Sequence, residues 1–485
     1  IGYAERLIDG RFNIAVEGEF ADRYTMKDGE QVFESFTWKA FRYMKLRFRS
    51  CFSPVRVRGV FGIVSTYPYR ERDSFTSNDA TLNSVFRICR NTIRLCSNES
   101  LVDTPWREQA QWLGDTALVT VPSIHTCFGD TAMPRKFLRQ SGQTQQGSGL
   151  LANISNISNT GHMCDYSLWW LGALYEYFLY TGDESLLGRL YPQALRILDT
   201  HLDYLNENAL IEDHPFRLLI DWADVDRRGV CGPYNAIFHQ SLHWLNRLAA
   251  FRDDARTSRL CEKLITIQEK NFHDALYDPE RGCYSDARVD GELSAKISEH
   301  GNMAPIWAGL CADKLAESLV ARVFESPGEL TFTEAQPFFM AVVLPALARA
   351  GRFDLALGLV RRRWGRRMVE RGATATFEEW YRNGTRRDGT FQGQLRSCSH
   401  AWSAFPADFL VRGLLGLEIV APACRRIRLE PRRTDFDYRV EFPTPAGPIV
   451  ATWKEGNLNV SVPDSIETAT NLNGVSNASS LEDAL

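Results

Sequence analysis

Between Asp103 and Asp115 the chain gathers three carboxylates (Asp103, Glu108, Asp115), one arginine (Arg107) and two tryptophans (Trp106, Trp112). This mixture suits a sugar site. Indole faces stack on a pyranose ring, and carboxylates accept hydrogen bonds from its hydroxyls. A carboxyl beside an arginine or another carboxyl can also be tuned for proton transfer. The same letters spell a helix start: Asp103 or Thr104 as cap, Pro105 at the first helical position and Glu108 in the first turn.

Other stretches pair acids with aromatic rings. Gly372 to Trp380 ends on the tandem Glu378-Glu379 beside Trp380, which fits a catalytic base or a solvated helix start. Asp221-Trp222 follows the apolar run Leu218-Leu219-Ile220, so Asp221 reads as a sugar ligand or a helix N-cap. Asp165, Trp169 and Trp170 form a third group. Adjacent residues on a helix face about 100° apart, so one of those two indoles belongs to the core. His400 precedes Ala401-Trp402 and is either a core histidine or a ligand-facing one. Nothing distinguishes Glu334 or Trp307 from packing.

These groups need a scaffold. At 485 residues the chain is too long for one ordinary core. Residues 1–72 read as β: Met44, Leu46 and Phe48 alternate with polar neighbours, and Val55–Val64 is rich in β-branched residues. From Ser77 the period becomes helical, with Ser77 and Asp79 as cap candidates and Leu82, Val85, Ile88 and Ile93 on one face. Leu186, Leu187, Leu190, Tyr191, Ala194, Leu198 and Leu202 form another stripe; so do Phe238, Leu242, Leu245 and Leu248. Gly351 follows Phe338–Ala350 as a C-terminal stop. After Gly416 short strands return at 425–429, 438–442, 449–453 and 458–462, with a hairpin turn at Lys454-Glu455-Gly456-Asn457. The division expected is an N-terminal partial β-sandwich (1–72), a helical domain (73–418), a small β domain (419–470) and a loose polar tail (471–485).

Composition excludes several classes. Hydrophobic residues make 44% and charged residues 24%, the balance of a soluble globular protein. A net charge of −4 gives no footprint for nucleic acid, and Arg361-Arg362-Arg363 with Arg366-Arg367 reads as a solvated helix face. Eleven cysteines lie without paired spacing, with no CxxC and no Cys/His cluster. That speaks against a disulfide framework or a zinc site, and for a reducing, cytoplasmic setting. No apolar run reaches the roughly 18 residues of a membrane helix, and no signal peptide is visible. The sequence opens on Ile1 rather than Met, so it says nothing about an upstream leader. Oligomeric state is not legible.

Asp103, Arg107-Glu108 and Trp112-Leu113-Gly114-Asp115 together resemble the catalytic-acid motif of the bacterial α-L-rhamnosidase family, inverting glycoside hydrolases. The departures are Gln109, where the family usually has Arg, and Gln111, where it usually has Gly. Gly372-Ala373-Thr374-Ala375-Thr376-Phe377-Glu378-Glu379-Trp380 resembles the family's second motif, with Phe377 in place of Trp. Phe41-Arg42-Tyr43 resembles the end of its preceding β-sandwich, and Ser399-His400 its Asn-His pair, with Ser399 in place of Asn.

The resemblance implies an (α/α)6 toroid whose loops line the site at one end. It implies Glu108 as general acid and Glu378, chosen over Glu379 by the motif alone, as general base. Sugar contacts are expected from Asp103, Arg107, Trp112, Asp115, Asp165, Trp169, Asp221, Trp222, Trp380 and His400. The chemistry needs carboxyls and water on opposite faces of the bond, and no cofactor. Some relatives bind calcium, but the sequence carries no EF-hand-like loop. Two other readings stay open: a related toroid glycosidase with another sugar specificity, motivated by Gln109, Gln111, Phe377 and Ser399, and a non-catalytic carbohydrate-binding member.

Overall fold

The computed structural model describes residues 1–8, 10–12, 20–158, 161–380 and 396–469. The polar stretch 471–485, read as a tail, lies outside the described residues.

The helices alternate between buried and half-exposed. Helix α1 (Ala80–Leu95) buries seven of its sixteen residues along one stripe, the pattern of a helix that covers a core. It is followed by α2 (113–128), which runs through a π segment at Thr116–Thr120, and by α3 (Ala132–Gly142). Helix α4 (Cys164–Thr181) buries fourteen of its eighteen residues, so it is walled in on nearly every side. The order continues with α5 (Glu184–Leu202), α6 (Gly232–Phe251), α7 (Ala255–Leu276), α8 (Glu299–Ala308), α9 (Asp313–Phe324), α10 (Met340–Arg349), α11 (353–366) and α12 (Pro406–Leu415).

Packing closes these into a toroid. Helices α2, α4, α6, α8, α10 and α12 each touch the next, and α12 returns to α2. Around this inner ring, α1 packs on α12 and α2, α3 and α5 on α4, α7 on α6, α9 on α8 and α11 on α10. The result is the (α/α)6 arrangement of six helical hairpins. Gly172 shows how tightly the ring is drawn: a Cβ there would meet the Trp244 ring at 2.7 Å. Trp169, Trp244 and Trp307, from three successive inner helices, fill the interior with ring centroids 5.6–6.3 Å apart.

Polar caps set several helix starts. Asp79 accepts the Leu82 amide at 2.9 Å and pairs with Arg361 Nε at 2.8 Å, tying α1 to α11. Asp183, Asp254 and Ser298 cap α5, α7 and α8 in the same way. Each such cap contributes about 1 kcal/mol. Gly351, with φ 74°, closes α10 as its position suggested.

The C-terminal strands form β1 (Tyr438–Thr444), β2 (Gly447–Lys454) and β3 (Asn457–Ser461) in antiparallel order. The turn Glu455-Gly456 has φ of 50° and 81°, a two-residue hairpin with both central residues left-handed. Residues Phe75–Ser77, on the far side of the helical domain in sequence, pair with β1 and extend this sheet. A second small sheet joins Glu418–Ala421, Arg426–Arg428 and Glu467–Thr468.

The N-terminal β structure is slighter than alternation suggested. Gly2–Ala4 pairs with Tyr43–Lys45, and Leu7–Ile8 with Arg11–Phe12. The run Val55–Val64 forms no strand, and Phe61, Ile63 and Val64 are 80–88% exposed. No described strand lies alongside to accept its backbone bonds, so β-propensity alone does not make it a strand. What residues 1–6 and 42 do instead is pack against the mouth of the toroid.

Candidate active site

The loops that precede the inner helices gather at one end of the ring. Loop 96–112 leads into α2, loop 203–231 into α6 and loop 325–339 into α10, while residues 367–380 and 396–405 precede α12. Main-chain bonds tie the first of these to the last, Ala401 N to Asp103 O at 2.8 Å, and brace the last within itself, His400 N to Thr376 O at 2.9 Å and Glu378 N to Ser397 O at 3.0 Å. Inner-helix N-termini point at this end, and their dipoles favour negative charge there.

Glu108 and Glu378 are brought together through Arg107. Its Nη1 lies 2.7 Å from Glu108 Oε1 and its Nη2 2.8 Å from Glu378 Oε2. One guanidinium therefore separates two carboxylates that are far apart in sequence. Their environments differ. Glu108 keeps 32% of its side chain exposed, whereas Glu378 keeps 3%. The Trp112 indole N–H donates to Glu108 Oε2 at 2.7 Å. Glu378 accepts from the Ser397 amide at 2.9 Å and has Arg396 Nη1 at 3.6 Å. Burial alone pushes its carboxyl up, but Arg107, then His400 and Arg396, outweigh that and hold it below the ordinary range.

The neighbouring aspartates go the other way. Burial, then the charges of Glu108 and Asp115, pushes Asp103 well above the carboxylate range. Burial pushes Asp115 up to about 7, against the hydrogen bond it accepts from Tyr166 at 2.9 Å. Both aspartates are thus harder to ionise than an ordinary carboxyl. His400 is pulled down to about 4 by burial and stands 3.8 Å from Asp103 Oδ2, a neutral imidazole tilted against Trp402 with ring centroids 4.5 Å apart.

Gly114 is required by this packing. A Cβ at Gly114 would lie 2.4 Å from the Tyr166 ring. Gly114→Ala is expected to cost about 1–3 kcal/mol of stability, by displacing a buried aromatic ring. The same shift should loosen Tyr166 from Asp115. Urea unfolding and activity, measured together, check this; an unchanged midpoint would contradict the close approach.

The remaining expected contacts are dispersed. Trp222 is half-buried beneath Arg396, whose guanidinium lies 5.1 Å from the ring centre. Asp221 is fully buried and ties its own loop to helix α8 and to the loop before α10, accepting from His300 Nε2, the Gln336 amide and the Trp222 amide, each at 2.8 Å. Asp165, also buried, accepts the Leu219 and Ile220 amides and holds the left-handed turn at Ile220, φ 56°. Trp380 is buried edge-on to Trp364 and donates to Ala335 O at 2.7 Å. Trp169 belongs to the tryptophan cluster of the interior, and Trp170, its neighbour, is buried against Ser141. Asp165, Trp169, Asp221 and Trp380 are buried and shape the site from behind it, whereas Trp222 keeps part of its ring exposed.

Two departures from the family motif acquire physical reasons. Gln111 is buried and ties its loop to helix α3 and to the segment around Ser155, accepting from the Leu101 amide and donating to Ser155 and Gln140. Gln109 takes a left-handed φ of 52°, and its carbonyl accepts from Asn156.

Sequence reading missed Glu5, Arg396 and Tyr166. Glu5 reaches the site from the N-terminal segment and accepts the Cys398 amide at 2.5 Å. Arg396 pairs with both Glu378 and Glu379. Trp106 donates to Tyr3 O at 3.4 Å and packs on Phe20, so the same segment covers the first motif. A large hollow lined mainly by residues 24–66 reaches this centre at Glu5, Pro105, Phe377, Cys398 and Ser399.

A ring of six helical hairpins whose loops gather carboxylates, arginines and indoles at one end is the scaffold of the six-hairpin glycosidases. Within that class, this chain belongs to the bacterial α-L-rhamnosidase six-hairpin glycosidase domain family, whose profile matches residues 70–414. It is similar to the GH78 family rhamnosidase of Bacillus sp. GL1, with 25% identity and a TM-score of 0.75 over 85% of this chain and 43% of that one. It also resembles the Streptomyces avermitilis α-L-rhamnosidase complexed with L-rhamnose: 22% identity, TM-score 0.65, 83% of this chain and 38% of that one. A Klebsiella oxytoca rhamnosidase with rhamnose bound gives 21% identity and a TM-score of 0.62 over 70% and 65%. These last two likenesses speak to the fold. The chain spans less than half the length of the Bacillus enzyme. Among curated protein sequences, none matches it.

Proposed function

We propose that this chain is a glycoside hydrolase that releases terminal α-L-rhamnose from its conjugates with inversion at the anomeric carbon. The observation that carries the reading is the Glu108–Arg107–Glu378 bridge, with contacts of 2.7 and 2.8 Å. In this reading Glu378, held ionised by Arg107 and Arg396, is the general base that takes a proton from the attacking water. Glu108, the more exposed of the pair, protonates the leaving oxygen. Asp103, pushed well above the carboxylate range by burial and then by the charges of Glu108 and Asp115, is a neighbouring source of that proton. Arg107 orients both carboxyls. The half-buried indoles Trp112 and Trp222 offer faces for the sugar ring.

Inversion needs room for a water between base and anomeric carbon, so the two carboxyls of such enzymes stand roughly 6.5–9.5 Å apart. The guanidinium of Arg107 stands between Glu108 and Glu378 and bonds to both. The eleven unpaired cysteines suit a reducing compartment, and among the described residues no helix is long and apolar enough to cross a membrane.

A panel of aryl glycosides tests the specificity, with the α-L-rhamnoside expected to turn over fastest. NMR of the first-formed sugar tests the stereochemistry, which should be the anomer opposite to the substrate. A faster aryl glucuronide or deoxysugar would move the specificity elsewhere in the same class. Retention of configuration would overturn the acid–base pair. Sugar binding by calorimetry without hydrolysis of any glycoside would favour a carbohydrate-binding role.

A further inference from the structure

The sequence offers no Cys/His cluster, yet the fold assembles one nitrogen and oxygen donor set away from the carboxylate centre. Helix α6 carries His239 and His243 four residues apart, on one face. Helix α7, packed along α6, brings Glu269 to the same place. One nitrogen from each imidazole and one carboxylate oxygen all lie within 4.8 Å of one another. We propose that His239, His243 and Glu269 form a binding site for a divalent transition-metal ion of the zinc class.

Distance is the first argument. The two Nε2 atoms stand 3.2 Å apart, with the rings at 76°. Two nitrogens each ~2.0–2.1 Å from a tetrahedral zinc are separated by roughly 3.3–3.4 Å. The observed gap is close to that separation, and without an ion it lets the two rings share a hydrogen bond.

Orientation is the second. His239 Nδ1 lies 2.9 Å from Gln268 Oε1, and Gln268 Nε2 donates to Ala209 O at 2.8 Å. That second bond fixes the amide, so Oε1 is the acceptor and His239 carries its proton on Nδ1. The Nε2 lone pair is thus aimed at His243. A ligating histidine whose other nitrogen donates to a carbonyl is the usual outer-sphere arrangement of a metal site.

Charge and access agree. Glu269 adds a carboxylate oxygen to the two imidazole nitrogens, and so a negative charge to the donor set. His239 is buried, His243 half-buried and Glu269 exposed, which leaves an open path and a fourth position for water. Two imidazoles with one carboxylate select zinc, copper or nickel over magnesium or calcium.

The test uses the full chain stripped of metal with a chelator. Calorimetric titration with Zn2+ should show one ion bound and a raised Tm. Co2+ should give the strong visible bands of a tetrahedral site, without thiolate-to-cobalt charge transfer, which separates this site from the free cysteines. His243→Ala and Glu269→Ala should each weaken Zn2+ at least tenfold while leaving the metal-free Tm near that of the parent. Glu269 is exposed, so its variant keeps the test decisive even if His243→Ala folds poorly. No binding by the parent chain, a thiolate band, or Zn2+ affinity unchanged in Glu269→Ala would overturn the three-ligand site.

Discussion

Glu378→Gln is expected to lower kcat by about 10²–10⁴-fold, and to do so equally on an activated aryl glycoside and on a natural disaccharide. The base acts on the water, so a better leaving group does not replace it. Glu108→Ala should behave differently. An acid matters in proportion to how much protonation the leaving oxygen needs, so this variant should keep far more activity on a dinitrophenyl glycoside than on a disaccharide. The structure also sets the choice of control. Glu379 is fully buried, and its Oε1 lies 2.8 Å from Arg396 Nε. Glu379→Ala would strand a buried guanidinium that also faces Glu378 and Trp222. Removing one member of such a pair costs about 3–5 kcal/mol. Loss of activity in Glu379→Ala should therefore track loss of folded protein, whereas Glu378→Gln should stay folded and inactive. Steady-state rates on both substrates, with urea unfolding of each variant, decide it. Equal loss on both leaving groups in Glu108→Ala would remove the acid assignment. A folded, inactive Glu379→Gln beside an active Glu378→Gln would transfer the base to the neighbouring residue.

The parts of this site that were legible in sequence are those where chemistry and local packing use the same residues. Glu108 and Glu378 stand in motifs whose glycine and tryptophan neighbours are fixed by close contacts, as Gly114 is by Tyr166. The helical ring was legible because its outer helices carry a one-sided stripe. Its inner helices are apolar nearly all round, so periodicity says helix but not which neighbour it meets. Asp165 and Asp221 looked like sugar ligands because an acid beside an indole has one appearance in sequence; whether its oxygens face a cavity or a backbone amide depends on loops more than 50 residues away. The run Val55–Val64 shows the limit of β-propensity, which needs a partner strand that no local pattern can supply. The zinc-class site was hidden for a similar reason. A histidine pair four apart is visible, but Glu269 joins it only when α7 packs on α6.

The N-terminal segment leads to the second large effect, a pH dependence of stability that belongs to one residue. Glu5 was invisible as a site residue because its partner, the Cys398 amide, is 393 positions away. It is almost wholly buried. Burial, opposed by the Cys398 amide, Arg6 and Arg107 and reinforced by the charge of Glu378, pushes its carboxyl from an ordinary 4.5 up to about 8. The folded chain therefore keeps a proton that the unfolded chain has lost. Where the folded state binds more protons, stability falls as pH rises. The contribution of Glu5 is full below about pH 4.5 and is lost progressively up to about pH 8. A single group of this kind gives a slope of about 1.4 kcal/mol per pH unit inside its window. Asp103 and Asp115, also pushed up, act with the same sign, so the parent curve alone does not isolate Glu5. Glu5→Gln does. The amide keeps the carbonyl that accepts from Cys398 and cannot ionise. Its stability relative to the parent should climb steadily from pH 5 to pH 8 and then level off. Urea unfolding of both proteins at unit steps of pH measures the difference directly. Parallel curves across that range would mean that Glu5 is ionised in the folded protein at neutral pH, and that the segment it anchors sits elsewhere than over Arg107 and Glu378.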